Sequence, residues 1–344
     1  MLALQKVAKG VGNIELRDVA EPTMAADEVM IEVKAAGICG TDIHIMHDNF
    51  PYWPPVTMGH EFAGEIVDVG SEIEGWQVGD RVVGEPHTKA CGHCYLCRTG
   101  NPQICPEKRS PGWGIDGAFT KYLPYPTHLL HRIPEGMSFE HAALAEPVGN
   151  VVTDILLNAK VEPEDFVVVL GPGPIGLMAA MAAKAEGARE VMITGTDADE
   201  ALRLRTAREV GIDHVVNLQQ EDPVERCMEL TGGIGADLVV DCSGAPPAIK
   251  SMPQYARKLG RLCAVGLTGK RPVEFDWDAA QGKVLTLYFN MSTHYSCWEP
   301  SLSMLVSGKI NADALITHVL PLEQWQEGFD AIEKMEALKV ILIP

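Results

Sequence analysis

Phe166-Val-Val-Val-Leu-Gly171-Pro-Gly173-Pro-Ile-Gly176 decides the fold of the second half of this chain, because it joins an apolar strand to an apolar helix through a glycine-rich turn. The first glycine permits the tight turn, and the second lets a pyrophosphate approach the backbone. The third allows close packing of helix on strand, and the helix N-terminus supplies positive potential. A structural turn of another doubly wound fold is the alternative, but the strand before and the helix after favour a dinucleotide site.

Strand-like and helix-like runs alternate on both sides of this turn, as expected for successive βαβ units on a parallel sheet. The sequence therefore predicts an α/β fold class, with a Rossmann doubly wound parallel sheet over residues 153–290. The predicted strands are Phe166–Leu170, Glu190–Thr194, His214–Asn217, Leu238–Asp241, Arg261–Val265 and Val284–Phe289, and the predicted helices are Ile175–Ala185 and Ala201–Val210.

The first 150 residues have a different sequence pattern, in which short strand-like runs are separated by glycine and proline. Turn signals about every ten residues predict a β-rich, barrel-like domain over residues 1–152. The tail, residues 291–344, is expected to complete this domain with helix, strand, helix and strand. The predicted strands of the first domain are Val29–Ala35, Phe62–Val69, Asp80–Val83 and Phe119–Leu123.

The end of the second Rossmann strand distinguishes NAD from NADP, because a carboxylate there can accept hydrogen bonds from the adenosine ribose. Asp197 lies about twenty residues beyond the third glycine, which favours NAD. Gly195 can instead occupy the strand end, with Arg203 and Arg205 near a 2′-phosphate, so NADP stays open. The predicted cofactor contacts, on the glycine loop and after this and later strands, are Gly171, Gly173, Pro174, Ile175, Gly176, Asp197, Arg203, Ser243 and Gly266.

Four cysteines fall within 15 residues, and their thiolates can surround one Zn²⁺ tetrahedrally because the two-residue spacers allow tight turns. Two disulfides or an iron–sulfur cluster are the alternatives. The N-terminus shows no basic stretch followed by an apolar run, which argues against secretion and therefore against disulfides. With all four positions filled by sulfur the site would be structural. Its predicted ligands are Cys91, Cys94, Cys97 and Cys105.

The bulk properties restrict the partners. A length of 344 residues suits two domains, and the net charge of −19 disfavours nucleic acid and anionic membranes. No apolar run reaches the roughly 20 residues that span a bilayer. We therefore expect a cytoplasmic protein with a small-molecule substrate.

Three short constellations suggest a second metal site. They are Gly37-Ile-Cys39-Gly-Thr41-Asp-Ile-His44, Gly59-His60-Glu61 and Ala145-Glu146-Pro-Val-Gly-Asn150. Thiolate, imidazole and carboxylate together make a mixed zinc site that can leave one position open for a substrate oxygen. Taken singly, each of these residues is more often a core or surface group.

In order, these motifs, Gly79-Asp-Arg-Val, the four-cysteine stretch and the glycine fingerprint resemble the zinc-containing medium-chain dehydrogenase/reductase family over essentially the whole chain. The resemblance implies a β-rich, barrel-like (GroES-like) catalytic domain interrupted by a Rossmann domain, with the active site in the cleft between. It implies Zn²⁺ at two sites per chain, one catalytic and one structural, and reversible hydride transfer between an alcohol and nicotinamide.

The family's site residues can be carried over to matching positions. Cys39 and His60 would hold the catalytic zinc, and Glu61 is a ligand in some members. Glu146 stands where classical alcohol dehydrogenases have cysteine, which points to the polyol and threonine 3-dehydrogenase branches. Which glutamate binds directly stays open. The catalytic residues implied are Thr41 and His44, as a proton relay, and Glu146.

The substrate is predicted from a missing charge. Both branches carry an arginine near the substrate, after the last Rossmann strand, yet Leu285–Gly308 contains no Lys or Arg. A buried carboxylate needs a positively charged partner, whereas a neutral polyol needs only hydrogen-bonding groups such as hydroxyls. We therefore expect oxidation of a secondary alcohol in a polyol or sugar derivative, with threonine or simple alcohols as the alternatives. A phosphorylated polyol stays open as well, although the sequence shows no obvious basic cluster for it. Candidate pocket residues are Asn290, Ser292, Thr293 and His294, with Phe50, Tyr52, Trp53 and Trp113 as aromatic walls.

Two further expectations follow from the resemblance. Retention of Cys39, His60, Thr41 and His44 argues against the family's non-catalytic lens crystallins and zinc-free quinone reductases. The strand Val284–Phe289, at a sheet edge, can pair with its copy across a two-fold axis, so we expect a homo-oligomer. The sequence does not choose between a dimer and a homotetramer.

Overall fold

The computed structural model describes residues 1–269 and 272–344 and divides them into two compact units. The first comprises residues 1–149, 291–306 and 316–344, and the second residues 150–290 and 307–315. The segment 307–315 thus belongs to the second unit, although the sequence assigned all of 291–344 to the first. None of the helices in the described part of the chain has the length and apolarity needed to span a membrane.

Sixteen strands form in the described residues. They are β1 Leu2–Lys6, β2 Ile14–Asp18, β3 Glu28–Gly37, β4 Val56–Thr57, β5 Glu61–Val69, β6 Arg81–Gly84, β7 Tyr122–Pro126, β8 Leu130–Arg132, β9 Phe166–Leu170, β10 Glu190–Gly195, β11 His214–Asn217, β12 Ala236–Asp241, β13 Ala256–Ala264, β14 Thr286–Phe289, β15 Ile316–Pro321 and β16 Lys339–Ile343.

The helices of the same residues are mostly short. The α-helices are Gly40–Met46, Tyr95–Arg98, Phe139–Ala142, Ala145–Val151, Pro174–Ala185, Arg205–Glu209, Pro223–Leu230, Pro246–Tyr255, Trp277–Gly282, Trp298–Val306, Ala312–Leu315 and Trp325–Glu333. The 3₁₀ turns are Pro102–Ile104, Thr127–Leu129, Asp197–Asp199, Tyr295–Cys297 and Leu322–Gln324, and π-helical segments are Val152–Asn158 and Glu200–Leu204.

Two sheets build the first unit. A small antiparallel sheet has the order β2-β1-β4, and a larger mixed sheet has the order β15-β16-β3-β5-β6-β8, with β7 also paired to β3. In β3 buried and half-buried residues alternate, since one face of the strand packs on the core. The strand β5 begins at Glu61, and β16 begins at Lys339, so two charged residues start strands that are otherwise largely apolar.

A six-stranded parallel sheet, in the order β11-β10-β9-β12-β13-β14, builds the second unit. All five residues of β9 are buried, as expected for a central strand covered on both faces. The exposed strand β14 closes one edge of the sheet. This β-rich unit and this doubly wound parallel sheet confirm the predicted α/β fold class.

Several predicted elements shift at their ends. The strand expected at Phe119–Leu123 forms at Tyr122–Pro126, because the backbone of Phe119 instead bonds to Leu4 and Met58. The helix expected at Ala201–Val210 is preceded by a 3₁₀ turn and starts as a π-helical segment. Val284 lies outside the last Rossmann strand, with a positive φ of 55°.

Candidate active site and metal centres

Cys39 lies directly before the helix Gly40–Met46, where an extended backbone (φ −101°, ψ 157°) leads into the first turn. Asp42, on that turn, accepts a hydrogen bond from the Cys39 amide at 2.9 Å and is fully buried. A carboxylate suits this position because the helix N-terminus is electropositive. This hydrogen bond fixes the backbone that carries the Cys39 thiol.

His60 and Glu61 lie at the start of β5, and both are buried. Ligand atoms of Cys39, His60 and Glu61 all lie within 4.8 Å of one another, although the residues come from two segments of the chain. We call these three residues the mixed cluster. Glu146, in the helix Ala145–Val151, is outside this group among the described residues, but its carboxylate acts on His60 electrostatically.

The electrostatics of the mixed cluster favour a cation. Burial lowers the pKa of His60, but the Cys39 thiolate, Asp42 and Glu146 together outweigh burial and raise it to about 10. The His60 Nδ1 atom is buried without a hydrogen-bond partner and lies 3.9 Å from Asp42 Oδ1. Thiolate, imidazole and carboxylate are ligands that Zn²⁺ prefers, so these residues fit a zinc ion.

Lys339 supports the mixed cluster from β16. Its ammonium forms an ion pair with Glu61 Oε2 and donates to the Ile38 carbonyl at 3.0 Å, and both charged side chains are almost fully buried. The other carboxylate oxygen, Glu61 Oε1, is buried without a partner. Gly37 makes room for this pair, since a Cβ there would lie 2.3 Å from Glu61 Oε2. One oxygen of Glu61 is therefore held by Lys339 while the other stays available to a ligand.

Thr41 and His44 lie on the helix that follows Cys39 and are partly exposed. Their spacing of three residues places them on the same helix face. No hydrogen bond joins their side chains in the described structure, so their relay role stays a prediction.

The four-cysteine lobe, Cys91–Cys105, brings its sulfur atoms together. Cys91 Sγ lies 3.9 Å from Cys97 Sγ, and Cys94 Sγ lies 3.9 Å from Cys105 Sγ. Zn–S bonds of about 2.3 Å in a tetrahedron require sulfur atoms about 3.8 Å apart, whereas a disulfide requires about 2.05 Å. The spacing therefore fits a closed four-sulfur zinc site, and all nine cysteines are free of disulfides.

Backbone amides of the lobe point at its own sulfur atoms. The Cys94 amide donates to Cys91 Sγ at 3.3 Å, and the Cys91 amide donates to Cys105 Sγ at 3.4 Å. The Cys91 amide is the main reason that the pKa of the Cys105 thiol falls to about 7. These bonds favour thiolates, the form that binds metal.

The glycine loop after β9 has the geometry that the sequence predicts. Gly171 has a φ of +102°, and a Cβ at Gly176 would lie 1.9 Å from the Gly171 carbonyl oxygen. A Cβ at Gly173, by contrast, would meet nothing within 4 Å, so the loop leaves open space beside the N-terminus of the helix Pro174–Ala185. That open space fits a pyrophosphate.

The ends of the neighbouring strands close around this loop. Asp241 accepts hydrogen bonds from Ser243 Oγ at 2.6 Å and from the Gly244 amide at 3.1 Å. Ser243 lies against Gly171, and Gly266 lies against Gly244, each too close for an added side chain. The structure thus gathers the predicted contacts of β9, β12 and β13 at one edge of the sheet.

At the end of β10 the charges are already partnered. Asp197 is exposed and accepts a hydrogen bond from Asn217 at 2.9 Å. Arg203 pairs with Asp199 at 3.0 Å, and Arg205 lies 3.6 Å from Glu209. Neither arginine is a free cation.

The structure places the predicted pocket residues in three different surroundings. Phe50 and Trp53 pack around Trp113, with ring centroids 5.6 and 5.8 Å apart. Tyr52 belongs elsewhere, since its hydroxyl accepts a hydrogen bond from the Gly10 amide at 3.0 Å. Ser292 accepts a hydrogen bond from Lys108 at 2.9 Å.

Comparison with known proteins decides the family. A family model described as an alcohol dehydrogenase GroES-like domain matches residues 25–135, and one described as a zinc-binding dehydrogenase matches residues 174–307. A sorbitol dehydrogenase of Halalkalibacterium halodurans is 40% identical across 100% of this chain and 99% of that protein. The chain belongs to the zinc-containing medium-chain dehydrogenase/reductase family.

Other members of the family carry different names. An L-threonine 3-dehydrogenase of Pyrococcus horikoshii is 36% identical, covering 100% of this chain and 98% of its own, and a D-arabitol-phosphate dehydrogenase of Enterococcus avium is 33% identical, covering 99% and 97%. A zinc-binding dehydrogenase of Sinorhizobium meliloti bound to NADP has a TM-score of 0.92 at 29% identity, over 100% of this chain and 99% of that one. An alcohol dehydrogenase of Escherichia coli CFT073 complexed with NADH has a TM-score of 0.89 at 28% identity, with the same coverage.

Membership of this dehydrogenase family confirms the predicted resemblance and the prediction of a zinc-dependent oxidoreductase. Sequence reasoning missed Lys339, Lys108 and the role of Asp42. One sequence pattern points to Lys339, because this lysine interrupts the otherwise apolar run of residues 337–343. A lone charge in such a run needs a buried partner. No sequence pattern points to Lys108, because its partner Ser292 is 184 positions away.

Proposed function

We propose that this protein oxidises a secondary alcohol of a polyol or sugar derivative to a ketone, with zinc and a nicotinamide cofactor. The observation that carries the proposal is the mixed cluster, Cys39, His60 and Glu61, in a chain of the zinc-binding dehydrogenase family. The names of the Halalkalibacterium and Enterococcus relatives, a sorbitol and a D-arabitol-phosphate dehydrogenase, support this substrate class.

The residues would divide the chemistry as follows. Cys39 and His60 would hold the catalytic zinc with Glu61 or Glu146, and the four-cysteine lobe would hold a structural zinc. When bound, the metal supplies a Lewis acid that lowers the pKa of an alcohol, and nicotinamide supplies the hydride acceptor. Thr41 and His44, one helical turn apart, would carry the alcohol proton to solvent. The backbone of the glycine loop would bind the pyrophosphate.

NAD is the proposed cofactor. Asp199 already neutralises Arg203 at 3.0 Å, which leaves less positive charge for a 2′-phosphate. Asp197 and Glu200 add further negative charge beside Asn217, which donates to Asp197 at 2.9 Å and to Glu200 at 3.3 Å. A 2′-phosphate would be repelled there, whereas a ribose hydroxyl could donate to Asp197.

Two finer proposals concern assembly and location. The edge strand β14 is apolar and exposed, with 74% of Phe289 accessible, which supports a homo-oligomer, dimer or tetramer, formed by pairing of two such edges. Nine free cysteines, four of them spaced for a metal, suit a reducing compartment and support a cytoplasmic location.

A substrate panel tests the proposed function. Purified, zinc-loaded protein would be assayed for cofactor reduction with sorbitol, xylitol, galactitol, L-threonine and 2,3-butanediol, each with NAD⁺ and with NADP⁺. We expect turnover of polyols with NAD⁺. Turnover of threonine alone would replace the polyol proposal with a threonine 3-dehydrogenase, which the 36% identity to the Pyrococcus enzyme supports as the second candidate. Absence of turnover on every one of these compounds, and on the phosphate esters of sorbitol and galactitol, would contradict the proposal.

A further inference from the structure

Lys108 is a partly buried cation whose hydrogen-bond acceptors are both neutral groups. It follows the four-cysteine lobe by three residues, and its ammonium donates to the Gln103 carbonyl at 3.0 Å and to Ser292 Oγ at 2.9 Å. Both partners are neutral, and no ion pair of the described ranges 1–269 and 272–344 includes this lysine. Burial lowers the pKa of Lys108 to about 8, and the Glu146 carboxylate opposes that shift. Burying an ammonium group without a paired carboxylate costs free energy. This lysine therefore does not stabilise the fold through an ion pair, and a role in binding would account for it.

Three observations place Lys108 near the candidate active site within the first unit. Ser292, its hydrogen-bond partner, precedes Thr293, and a Cβ on Gly149 would lie only 3.1 Å from Thr293 Cγ2. Gly149 lies on the helix Ala145–Val151, one turn after Glu146. The Glu146 carboxylate in turn opposes the lowering of the Lys108 pKa and helps to raise the pKa of His60. The same carboxylate thus lies close enough to act on both Lys108 and the mixed cluster.

Two buried polar side chains without hydrogen-bond partners, His87 and Thr293, lie near Lys108. His87 is buried, its Nδ1 atom has no hydrogen-bond partner, and its Nε2 atom lies 3.2 Å from Glu85. Burial, with the nearby Lys108 charge, lowers the pKa of His87 to about 3, so this imidazole stays neutral. The hydroxyl of Thr293 is also fully buried and unpartnered. Lys108 therefore supplies positive charge beside the neutral side chains of His87 and Thr293, with the carboxylates of Glu85 and Glu146 also close by.

We propose that Lys108 determines substrate specificity by binding an anionic oxygen group, a phosphate ester or a carboxylate, on the alcohol that this enzyme oxidises. The inference rests on the proposed function and names the substrate class more narrowly. Its chemical basis is that a charge-assisted hydrogen bond from an ammonium is stronger than one between neutral groups.

This inference reverses one step of the sequence argument. Absence of Lys and Arg from Leu285–Gly308 favours a neutral substrate only if no other segment supplies a cation. The fold brings Lys108 to Ser292, inside that same segment. A lysine that follows the four-cysteine lobe can thus supply the positive charge that this segment lacks.

The test compares matched neutral and anionic substrates on the full-length, zinc-loaded enzyme. The pairs are sorbitol with sorbitol 6-phosphate and galactitol with galactitol 1-phosphate, and L-threonine provides the carboxylate arm. In Lys108→Met we expect kcat/KM for the preferred anionic substrate to fall about 10- to 100-fold, chiefly through KM, because one charge-assisted hydrogen bond is lost. The neutral partner should change less than about twofold, and Lys108→Arg should retain much of the activity because it keeps the charge.

Controls distinguish a loss of anion binding from a general loss of folding, and from failure of the proposed dehydrogenase function. Lys89→Met removes an exposed lysine of the same region and should behave like wild type. Loss confined to phosphate esters assigns the phosphate, and loss confined to threonine assigns the carboxylate. Equal losses for neutral and anionic substrates, or a wild-type preference for neutral polyols that Lys108→Met does not alter, would overturn the inference. Should no compound be oxidised, the proposed function fails, while calorimetric titration of each pair into wild type and Lys108→Met still decides the inference.

Discussion

The four-cysteine lobe and the mixed cluster use similar side chains but are built in opposite ways. The lobe draws its four sulfur atoms from 15 consecutive residues, and its own backbone amides donate to those atoms. The mixed cluster joins Cys39 to His60 and Glu61, and it is supported by Lys339, 278 positions beyond Glu61. A local site can thus form with little help from the domain, whereas the mixed cluster exists only once β5 and β16 are in place.

The two regions also differ in what surrounds the ligands. Sulfur alone would surround a metal ion in the lobe, so no position would be left for a substrate. Buried charges surround the mixed cluster, with Asp42 and Glu146 near His60 and Lys339 paired to Glu61. We therefore assign stability to the lobe and chemistry to the mixed cluster, and four substitutions test that division in order of their expected effect on turnover.

Cys39→Ser should have the largest effect. Loss of the thiolate would remove one zinc per chain and lower kcat/KM about 10³-fold, because a catalytic metal supplies several kcal/mol of transition-state stabilisation. Zinc content by mass spectrometry and cofactor reduction on the best substrate measure both changes. Cys227→Ala, which removes a buried cysteine outside both regions, is the matched control. Full activity with one zinc per chain would contradict the assignment of chemistry to this cluster.

Lys339→Met should come next. The substitution leaves the Glu61 carboxylate buried without its partner, which typically costs about 3–5 kcal/mol of stability. It also frees the Ile38 carbonyl next to Cys39, so turnover should fall about tenfold as the ligand geometry loosens. Denaturant unfolding and steady-state kinetics measure the two losses.

The double variant Lys339→Met/Glu61→Gln provides the control for Lys339. It removes both buried charges, so it should recover much of the lost stability without restoring wild-type turnover. If Lys339→Met alone unfolds like wild type, the buried pair has no structural role and Glu61 needs another explanation.

Asp42→Asn should have a smaller effect, through His60. The Asp42 carboxylate lies 3.9 Å from the ring and holds the Cys39 amide at 2.9 Å, so it supports both ligands without being one. Loss of such a supporting carboxylate typically weakens metal binding about 10- to 100-fold. Competition with a chromogenic chelator measures the affinity. Asp68→Asn, at an exposed position of β5, serves as the control and should bind zinc like wild type.

Cys97→Ser should have the least effect on turnover. Loss of one sulfur ligand should remove the second zinc and lower Tm by roughly 5 °C or more, because metal binding to a closed site stabilises the fold. The kcat of the folded enzyme should stay within about twofold of wild type. Thermal melting, zinc content and kcat at 25 °C, taken on one preparation, check this. A large fall in kcat at unchanged Tm would mean that the lobe takes part in chemistry.

What the sequence could predict follows the same division between local and distant contacts. The glycine fingerprint and the cysteine spacing are local patterns, so β9, the loop at Gly171 and the lobe were predictable. The Lys339–Glu61 and Lys108–Ser292 contacts join residues 278 and 184 positions apart, and no local pattern pairs them. The shift of a strand from Phe119 to Tyr122 has a similar origin, because backbone bonds to Leu4 and Met58 override local propensity.

The substrate prediction rested on the charges of one segment of the chain. The absence of a cation from Leu285–Gly308 was correct as a statement about that segment. It could not show that Lys108 reaches Ser292 from another part of the chain. The charge near a site depends on contacts between distant residues in the fold, whereas the spacing of ligands within one short motif can be read from the sequence.

The most direct test of two zinc sites with different tasks is an anomalous difference map at the zinc edge, from crystals of the purified protein. We predict two peaks per chain, one enclosed by the four sulfur atoms of the lobe and one bounded by Cys39 and His60. A single peak in the lobe, with the mixed cluster metal-free in an active enzyme, would contradict the account.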